Sequence, residues 1–379
     1  VIYFDHNATT PLSPVAREAW LVASERFIGN PSSPHRVGAR ADAALTDARE
    51  QLAAFLGCHA LDIVWTSGAT ESNNAAIHHL ARTAPPRSEF WISAIEHPCL
   101  FESAKFYFGK RLRLIPVSRS GMVELTWIEK QLPRRTAPCA IAVMAANNET
   151  GVLQPWREIQ SLCRAQKIPF LCDAAQWVGK LSAAGLGECD FVSGCAHKFG
   201  GPKGVGFLKC PAKGPFTPLL RGGPQEEGRR AGTENVAGVL AMLAALAERE
   251  KLFASPATAP ISLEKLRADF ERQILATGPG IEILGADARR LWNTVSVIMP
   301  EADCRQRAVV KLDKSGFAVS TGSACASGKE KPSHVLTAMG FPSASAARAL
   351  RFSSGPAATA GEWAQLARAL AGLANSAAR

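Results

Sequence analysis

The sequence predicts an α/β fold built on a mainly parallel sheet, followed by a smaller α+β unit. Three observations carry this. Cys139–Met144 and Ile168–Cys172 are apolar runs without polar alternation, the pattern of strands buried on both faces. Asp62–Trp65 and Glu89–Ala94 are strand patterns that end in short turns and pass directly into helical ones. After Phe253-Ala-Ser-Pro-Ala-Thr-Ala-Pro260, which reads as a boundary, a second set of helix and strand patterns begins.

In order, Val1–Asp5 opens as a short strand without a basic-then-apolar leader pattern. Asp5-His-Asn-Ala-Thr-Thr-Pro11 is a polar turn able to cap a helix or line a site. Ser13-Pro14 starts a helix running to about Arg26, because proline suits the first helical position. Gly29–His35 is a loop, and a long helical pattern covers Ala39 to Leu56. Nothing near His35 decides its role. Thr66-Ser-Gly-Ala-Thr70-Glu-Ser-Asn-Asn74 turns from a strand into a helix. Free N–H groups and the helix dipole there favour an anion, although a plain helix cap reads equally well. It is neither a Walker loop nor a GxGxxG turn. Pro98 starts the next helix, so His97 sits at a strand-to-helix junction, where α/β sheets bind ligands.

The apolar strands at 139–144 and 168–172 lead to Asn147-Asn148-Glu149-Thr-Gly151 and to Asp173-Ala-Ala-Gln176. A carboxylate at the buried end of such a strand is costly unless it meets a cation. Asp190–Gly194 is a further strand, and it delivers Cys195-Ala196-His197-Lys198. Gly200-Gly201-Pro202 then turns the chain, and Val205–Leu208 returns as a strand. A lysine held in this way, 25 positions after Asp173, is a candidate for covalent chemistry through a partly desolvated amine. Gly222–Asn235 reads as a flexible charged loop before a helix from Val236 to Leu252. Beyond the boundary come a helix (Leu263 to Ala276), strands near 282–284 and 293–299, a helix near 305–315, and strands at 318–320 and 350–353. Thr321-Gly-Ser-Ala-Cys325-Ala-Ser-Gly-Lys329 is small and polar throughout, so Cys325 is expected to be mobile and reachable.

Composition narrows the class. The 379 residues are 47% hydrophobic, enough for two domains with a sizeable core. No apolar run reaches the roughly 18 residues of a membrane span. Ten cysteines without a CxxC pattern argue for free thiols in a reducing cytoplasm rather than for a disulfide framework or a zinc ribbon. The formal charge is +10 without a basic block interleaved with aromatics. That makes direct nucleic-acid binding a weak inference and suits an acidic protein partner equally well.

The strand-end groups Thr70, His97, Asn148, Asp173, Gln176, His197 and Lys198 supply an amine for an imine. They also supply a carboxylate for a ring nitrogen, an imidazole for a ring face and a helix terminus for a phosphate. Together these are the needs of pyridoxal phosphate. The chain resembles the cysteine desulfurases of the NifS/IscS type, in the class V aminotransferase family of fold type I pyridoxal-phosphate enzymes. The likeness rests on Tyr3–Pro11, Thr66–Asn73, Glu96-His97, Asn147–Gly151, Asp173–Gln176, His197-Lys198, Arg230–Thr233, Ser323-Ala-Cys325 and Arg351–Gly355, in that order.

The resemblance implies a large cofactor-binding domain over 13–253 with a mainly parallel, seven-stranded sheet. Residues 1–12 and 261–379 would form the small α+β domain carrying the cysteine loop. It implies Lys198 as the Schiff-base lysine, Asp173 on the pyridine nitrogen and Gln176 on the ring hydroxyl. His97 would stack on the ring and move protons. Ala69, Thr70, Cys195 and His197 would surround the phosphate, with Thr233 reaching the phosphate of the other subunit of a homodimer. Asn148 and Arg351 would hold the substrate carboxylate, and Cys325 would take sulfur from L-cysteine as a persulfide and pass it to an acceptor protein, for example an acidic iron–sulfur scaffold. No metal is implied.

Two departures from the family pattern stand out. Cys195-Ala196 replaces the usual Ser-Gly before His-Lys, which removes a hydroxyl expected on the phosphate. Pro224 and Glu227 stand where the family more often has Gly and Arg. Other readings keep the fold and change the chemistry: a selenocysteine or cystine lyase, an aminotransferase, or a sulfur-relay scaffold without turnover.

Overall fold

A computed structural model describes residues 1–134, 136–254, 260–300, 308–321 and 333–377. Cys325 and Ser323 therefore lie outside the described residues. The chain opens with β1 (Ile2–Tyr3), α1 (Pro14–Arg26) and α2 (Arg36–Leu56). Ser13 caps α1 through its side chain, and Pro14 fills the first helical position, as the sequence predicts. His35 caps α2, its Nδ1 accepting from the Gly38 N–H, so its role is structural.

There follow β2 (Ile63–Thr66), α3 (Ala69–Thr83), β3 (Phe90–Ser93), α4 (Pro98–Phe108), β4 (Leu112–Ile115), α5 (Leu125–Gln131), β5 (Ala140–Ala142), α6 (Trp156–Gln166), β6 (Phe170–Asp173), β7 (Phe191–Cys195), β8 (Gly206–Lys209) and α7 (Val236–Ala254). Strands β2 to β8 form one seven-stranded sheet in the order β2-β8-β7-β6-β5-β3-β4. Only β8 runs antiparallel to its neighbours, β2 and β7. The missing alternation is explained by burial on both faces. Trp65, Trp91, Ile141, Phe170 and Phe207 pack on one side, while Val64, Phe90, Ile92, Leu171 and Leu208 pack on the other.

The remaining elements are α8 (Pro260–Thr277), β9 (Glu282–Ile283), β10 (Thr294–Ile298), α9 (Ala308–Lys314), β11 (Phe317–Ala318), α10 (His334–Ala338), α11 (Ser343–Ala346), β12 (Ala349–Ser353) and α12 (Ala360–Ala377). A three-stranded antiparallel sheet, β12-β10-β9, shares its core with α8 and α12 around Phe270, Phe352, Trp363 and Leu366. The N-terminal strand belongs with this part of the chain: β1 pairs in parallel with β11, and Phe4 packs into the same core.

Two expectations need correction. Gly222–Asn235 is not a free loop along its length. Glu226 and Arg229 are buried, and Arg49 grips Glu226 with both terminal nitrogens (2.8 and 3.0 Å) while the Trp65 N–H donates to it (3.0 Å). These bonds hold Glu226 and Glu227 at positive φ, 49° and 57°, which non-glycine residues rarely adopt. The strand expected at 318–320 is the shorter Phe317–Ala318, with Ser320 bridged instead to Arg351.

Candidate active site

The carboxyl ends of β2, β3, β5, β6 and β7 face one cavity of about 490 Å³, within the size range of small-molecule sites. Nine residues singled out from the sequence line it: Ala69, Thr70, His97, Asn148, Asp173, Gln176, Cys195, His197 and Lys198. Thr233 does not line the cavity of its own chain and is exposed. Arg351 lies behind the wall. Its guanidinium is buried, pairs with Asp5 (2.6 Å) and donates to the Asn148 carbonyl (3.0 Å).

Lys198 follows β7 in a single helical turn, and its half-buried Nζ donates to the carbonyl oxygens of Asn7 (2.6 Å) and Ala8 (2.8 Å). Burial is the largest cause lowering its pKa, which favours the neutral amine over its ordinary charged state. The turn is held from outside as well: Thr10 Oγ1 donates to the Lys198 carbonyl (3.0 Å) and the Thr10 N–H to the His197 carbonyl (2.8 Å).

Asp173 is the last residue of β6, flanked in the sheet by β5 and β7. One carboxylate oxygen accepts from the Ala175 N–H (2.9 Å), the other from Asn73 Nδ2 (2.9 Å). Asn73 lies on α3, is fully buried, and also donates to Cys99 Sγ (3.3 Å). Gln176 donates from Nε2 to the Asn7 carbonyl (2.9 Å). Its Oε1 accepts from the buried amine of Lys180.

His97 caps α4 as the strand-to-helix junction predicts. Its Nδ1 accepts from the Cys99 N–H (3.2 Å), which places the proton of the neutral ring on Nε2. Burial lowers its pKa despite the nearby Asp173 charge. Behind it, Glu96 is fully buried and accepts from the Met144 N–H (2.7 Å). Burial, then the Asp173 charge, pushes its pKa well above the usual carboxylate range.

Gly68, Ala69 and Thr70 present the start of α3 to the cavity. Gly68 has φ +150°, and a Cβ on Gly206 would lie 2.5 Å from the Gly68 Cα. Two glycines thus let β8 pass close beneath this helix terminus. His197 faces the same end, its Nδ1 3.2 Å from Thr9 Oγ1. Burial, then Lys198 and Lys203, lowers its pKa to about 4. Cys195 ends β7 and lines the cavity beside Ala69, and burial raises its pKa to about 11. Arg230 pairs with Glu71 (2.9 Å) in the first turn of α3, tying the 222–235 loop to the cavity mouth.

The fit to pyridoxal phosphate follows from this donor set. The cavity joins an amine whose pKa burial lowers, a buried carboxylate already oriented by two donors, an imidazole, and a helix terminus flanked by His197 and Lys203. Each opposes one part of an aldehyde, a ring N–H or a phosphate. The sequence reading missed Asn73, Lys180 and Glu71. It identified the turn holding Asn7 as a possible site wall, but not its contacts.

The aminotransferase class-V family model matches residues 2–366. A cysteine desulfurase of Rhodobacter capsulatus is 41% identical over 378 residues, 98% of this chain and 94% of the relative. One from Klebsiella pneumoniae is 40% identical over 357 residues, 93% of this chain and 87% of the relative. The X-ray structure of a NifS-like protein from Rickettsia africae superposes with a TM-score of 0.87 at 29% identity, covering 99% of each chain. A site at the strand ends of a seven-stranded sheet and a match running almost end to end agree: the chain belongs to the class-V aminotransferase family.

Proposed function

We propose that this chain is a pyridoxal-phosphate-dependent cysteine desulfurase that converts L-cysteine to L-alanine and hands the sulfur to an acceptor through Cys325. The observation that carries the reading is the half-buried Lys198 amine, in one cavity with an oriented, buried Asp173 carboxylate.

Asp173 would hold the ring nitrogen, Gln176 the ring oxygen, and Ala69, Thr70, Cys195 and His197 the phosphate. The bound cofactor supplies an electron sink that acidifies the α-carbon of an amino acid joined to it. Lys198 Nζ, with its lowered pKa, takes the proton from the α-carbon of L-cysteine. His97, with Nδ1 occupied by the Cys99 N–H, exchanges protons through Nε2. Asn148 lines the cavity, and Arg351 stands behind it with a planar fork suited to a carboxylate. Asp5 occupies that fork here, so a substrate carboxylate reaching Arg351 would share or displace the Asp5 contact.

Cys325 attacks the substrate sulfur as a thiolate. The S–S bond forms as the C–S bond breaks, the electron pair stays with the carbon skeleton, and protonation completes L-alanine. The described residues on either side of this segment bond to residues near the cavity. Ser320 exchanges backbone hydrogen bonds with Arg351 (2.7 and 3.1 Å), and Ser333 Oγ donates to Glu149 (2.5 Å).

We further propose the division into 13–253 and 1–12 with 261–379, supported by a core drawn only from Phe4 and residues after 261 and by the β1–β11 pairing, while Leu291, Val335 and Leu336 pack into the core of the larger part. A homodimer in which Thr233 completes the partner's phosphate site suits its exposure away from its own cavity and the exposed Trp20, Leu21 and Val22 on α1. The charge of +10 suits an acidic acceptor protein. All eight described cysteines are free, in keeping with a reducing cytoplasm. No helix among the described residues is long and apolar enough to cross a membrane.

Borohydride reduction of protein loaded with pyridoxal phosphate, followed by peptide mapping, tests the central assignment. The pyridoxyl group is expected on Lys198. Label on Lys180 or Lys203 would overturn the reading.

A further inference from the structure

Lys180 has no part in the chemistry above, yet its amine is buried against the cavity wall. It lies in the turn after β6, and its carbonyl accepts from Trp292 Nε1 (2.7 Å). Its Nζ faces two neutral amide oxygens, Gln176 Oε1 and Asn7 Oδ1 (2.6 Å). An amine donates far more readily than it accepts, so these contacts fix which end of each amide faces it. Asn7 is held the same way round by its other partners. Its Nδ2 donates to Thr294 Oγ1 (2.9 Å) and its Oδ1 also accepts from Asn293 Nδ2 (3.2 Å).

With its oxygen held, Gln176 turns its nitrogen to the other side. There Nε2 meets the Asn7 carbonyl (2.9 Å), the same oxygen that accepts from Lys198 Nζ. Burial lowers the pKa of Lys180 far below that of a free lysine, with Lys198 and Arg351 adding to it and Cys195 opposing. That direction is what a carboxylate-free pair of acceptors requires: the amine keeps its donors without burying a full charge.

We infer that Lys180 is a positioning residue: it locks the Gln176 amide with its nitrogen toward the cavity, so that Gln176 meets the bound cofactor only as a hydrogen-bond donor and selects an ionised ring oxygen. The inference rests on the pyridoxal-phosphate reading above. Without the amine, Gln176 Oε1 loses its buried partner and the amide is free to flip. A flipped amide would set oxygen against oxygen.

A double-mutant cycle tests it with two readouts other than activity. Lys180→Met, Gln176→Ala and the double variant are compared by cofactor Kd, from titration of the cofactor-free protein, and by the pH at which the visible band of the bound cofactor titrates. Lys180→Met is expected to weaken binding about 10-fold and to raise the titration pH by about one unit, the scale of one hydrogen bond to a charged oxygen. In the Gln176→Ala background, Lys180→Met should change neither quantity further. Lys180→Gln, which keeps a donor, should restore most of the binding, and Lys180→Leu serves as the donor-free variant if Lys180→Met does not fold.

Additive losses in Kd and band pH would overturn the lock, as would a Lys180→Met protein that differs from wild type only in thermal midpoint, or a Lys180→Gln protein that binds as weakly as Lys180→Met. A wild-type protein that forms no visible band with pyridoxal phosphate would overturn the cofactor reading and the inference together.

Discussion

Replacing Cys195 by serine should tighten the cofactor. Cys195 is 3% exposed, ends β7 and lines the cavity beside Ala69 at the start of α3. Burial lifts its pKa to about 11, so the group is a neutral thiol at pH 7, and a thiol is a weak donor. A serine hydroxyl at that point is a stronger donor toward an anion at the helix terminus. A hydrogen bond to a charged group contributes about 1.5–3 kcal/mol. Oxygen is smaller than sulfur, and the gap left in a close-packed strand end costs about 1 kcal/mol. The net gain is roughly 0.5–2 kcal/mol, or about 2- to 30-fold in Kd. The assay is titration of cofactor-free wild type and Cys195→Ser with pyridoxal phosphate, read by absorbance and repeated by equilibrium dialysis. Equal or weaker binding by the variant would refute the reasoning and show that the helix N–H groups and His197 already satisfy the phosphate.

Three further outcomes are expected. His6 is neutral when folded, its pKa lowered mainly by burial from 6.5 to about 4, so the unfolded chain takes up the extra proton between those values. Wild type should therefore lose stability relative to His6→Gln as the pH falls through that window, by at most about 1.4 kcal/mol per pH unit, measured by denaturant titration of the cofactor-free proteins; a gap independent of pH would contradict this. Arg49→Met strands the carboxylate of Glu226, whose side chain is 1% exposed, and should cost about 3–5 kcal/mol in chemical denaturation, with Arg49→Met/Glu226→Gln recovering part of the loss. Asn73→Ala removes one of the two donors on Asp173 and should raise cofactor Kd several-fold with little change in thermal midpoint; unchanged binding would show that the Ala175 N–H alone holds the carboxylate.

The central sheet was legible because burial on both faces writes itself into composition: Ala140, Ile141 and Ala142 are all apolar although alternate residues face opposite sides. The edge strand β4 was not. Its Arg113 is only partly buried and its Leu114 is exposed, so the pattern of a buried strand is absent. Helix α6 was missed because it starts after Pro155 without a side-chain cap and stops at Lys167 in a left-handed conformation, so neither end carries the usual polar or glycine mark. Helix α12 did carry a mark that went unread, a capping box in which Thr359 Oγ1 accepts from the Glu362 N–H and Glu362 accepts from the Thr359 N–H.

At the site, groups at strand ends could be read because strands deliver them one by one to the same edge. The supports could not. Asn73 meets Asp173 across 100 positions and Lys180 meets Asn7 across 173, and no local spacing encodes such contacts. Arg351 shows the limit from the other side: its residue type fits a carboxylate, but only the fold reveals that Asp5 already holds it.

Desulfuration through Cys325 is tested most directly by mass spectrometry of the protein after exposure to L-cysteine without added reductant or acceptor. The account predicts one additional sulfur atom on the peptide containing Cys325, with L-alanine released in matching amount. In Cys325→Ala, the cofactor should stay bound, its spectrum should still respond to L-cysteine, and almost no alanine should form. Near-normal alanine release from Cys325→Ala, or the extra sulfur on Cys195 or Cys99 instead, would contradict it.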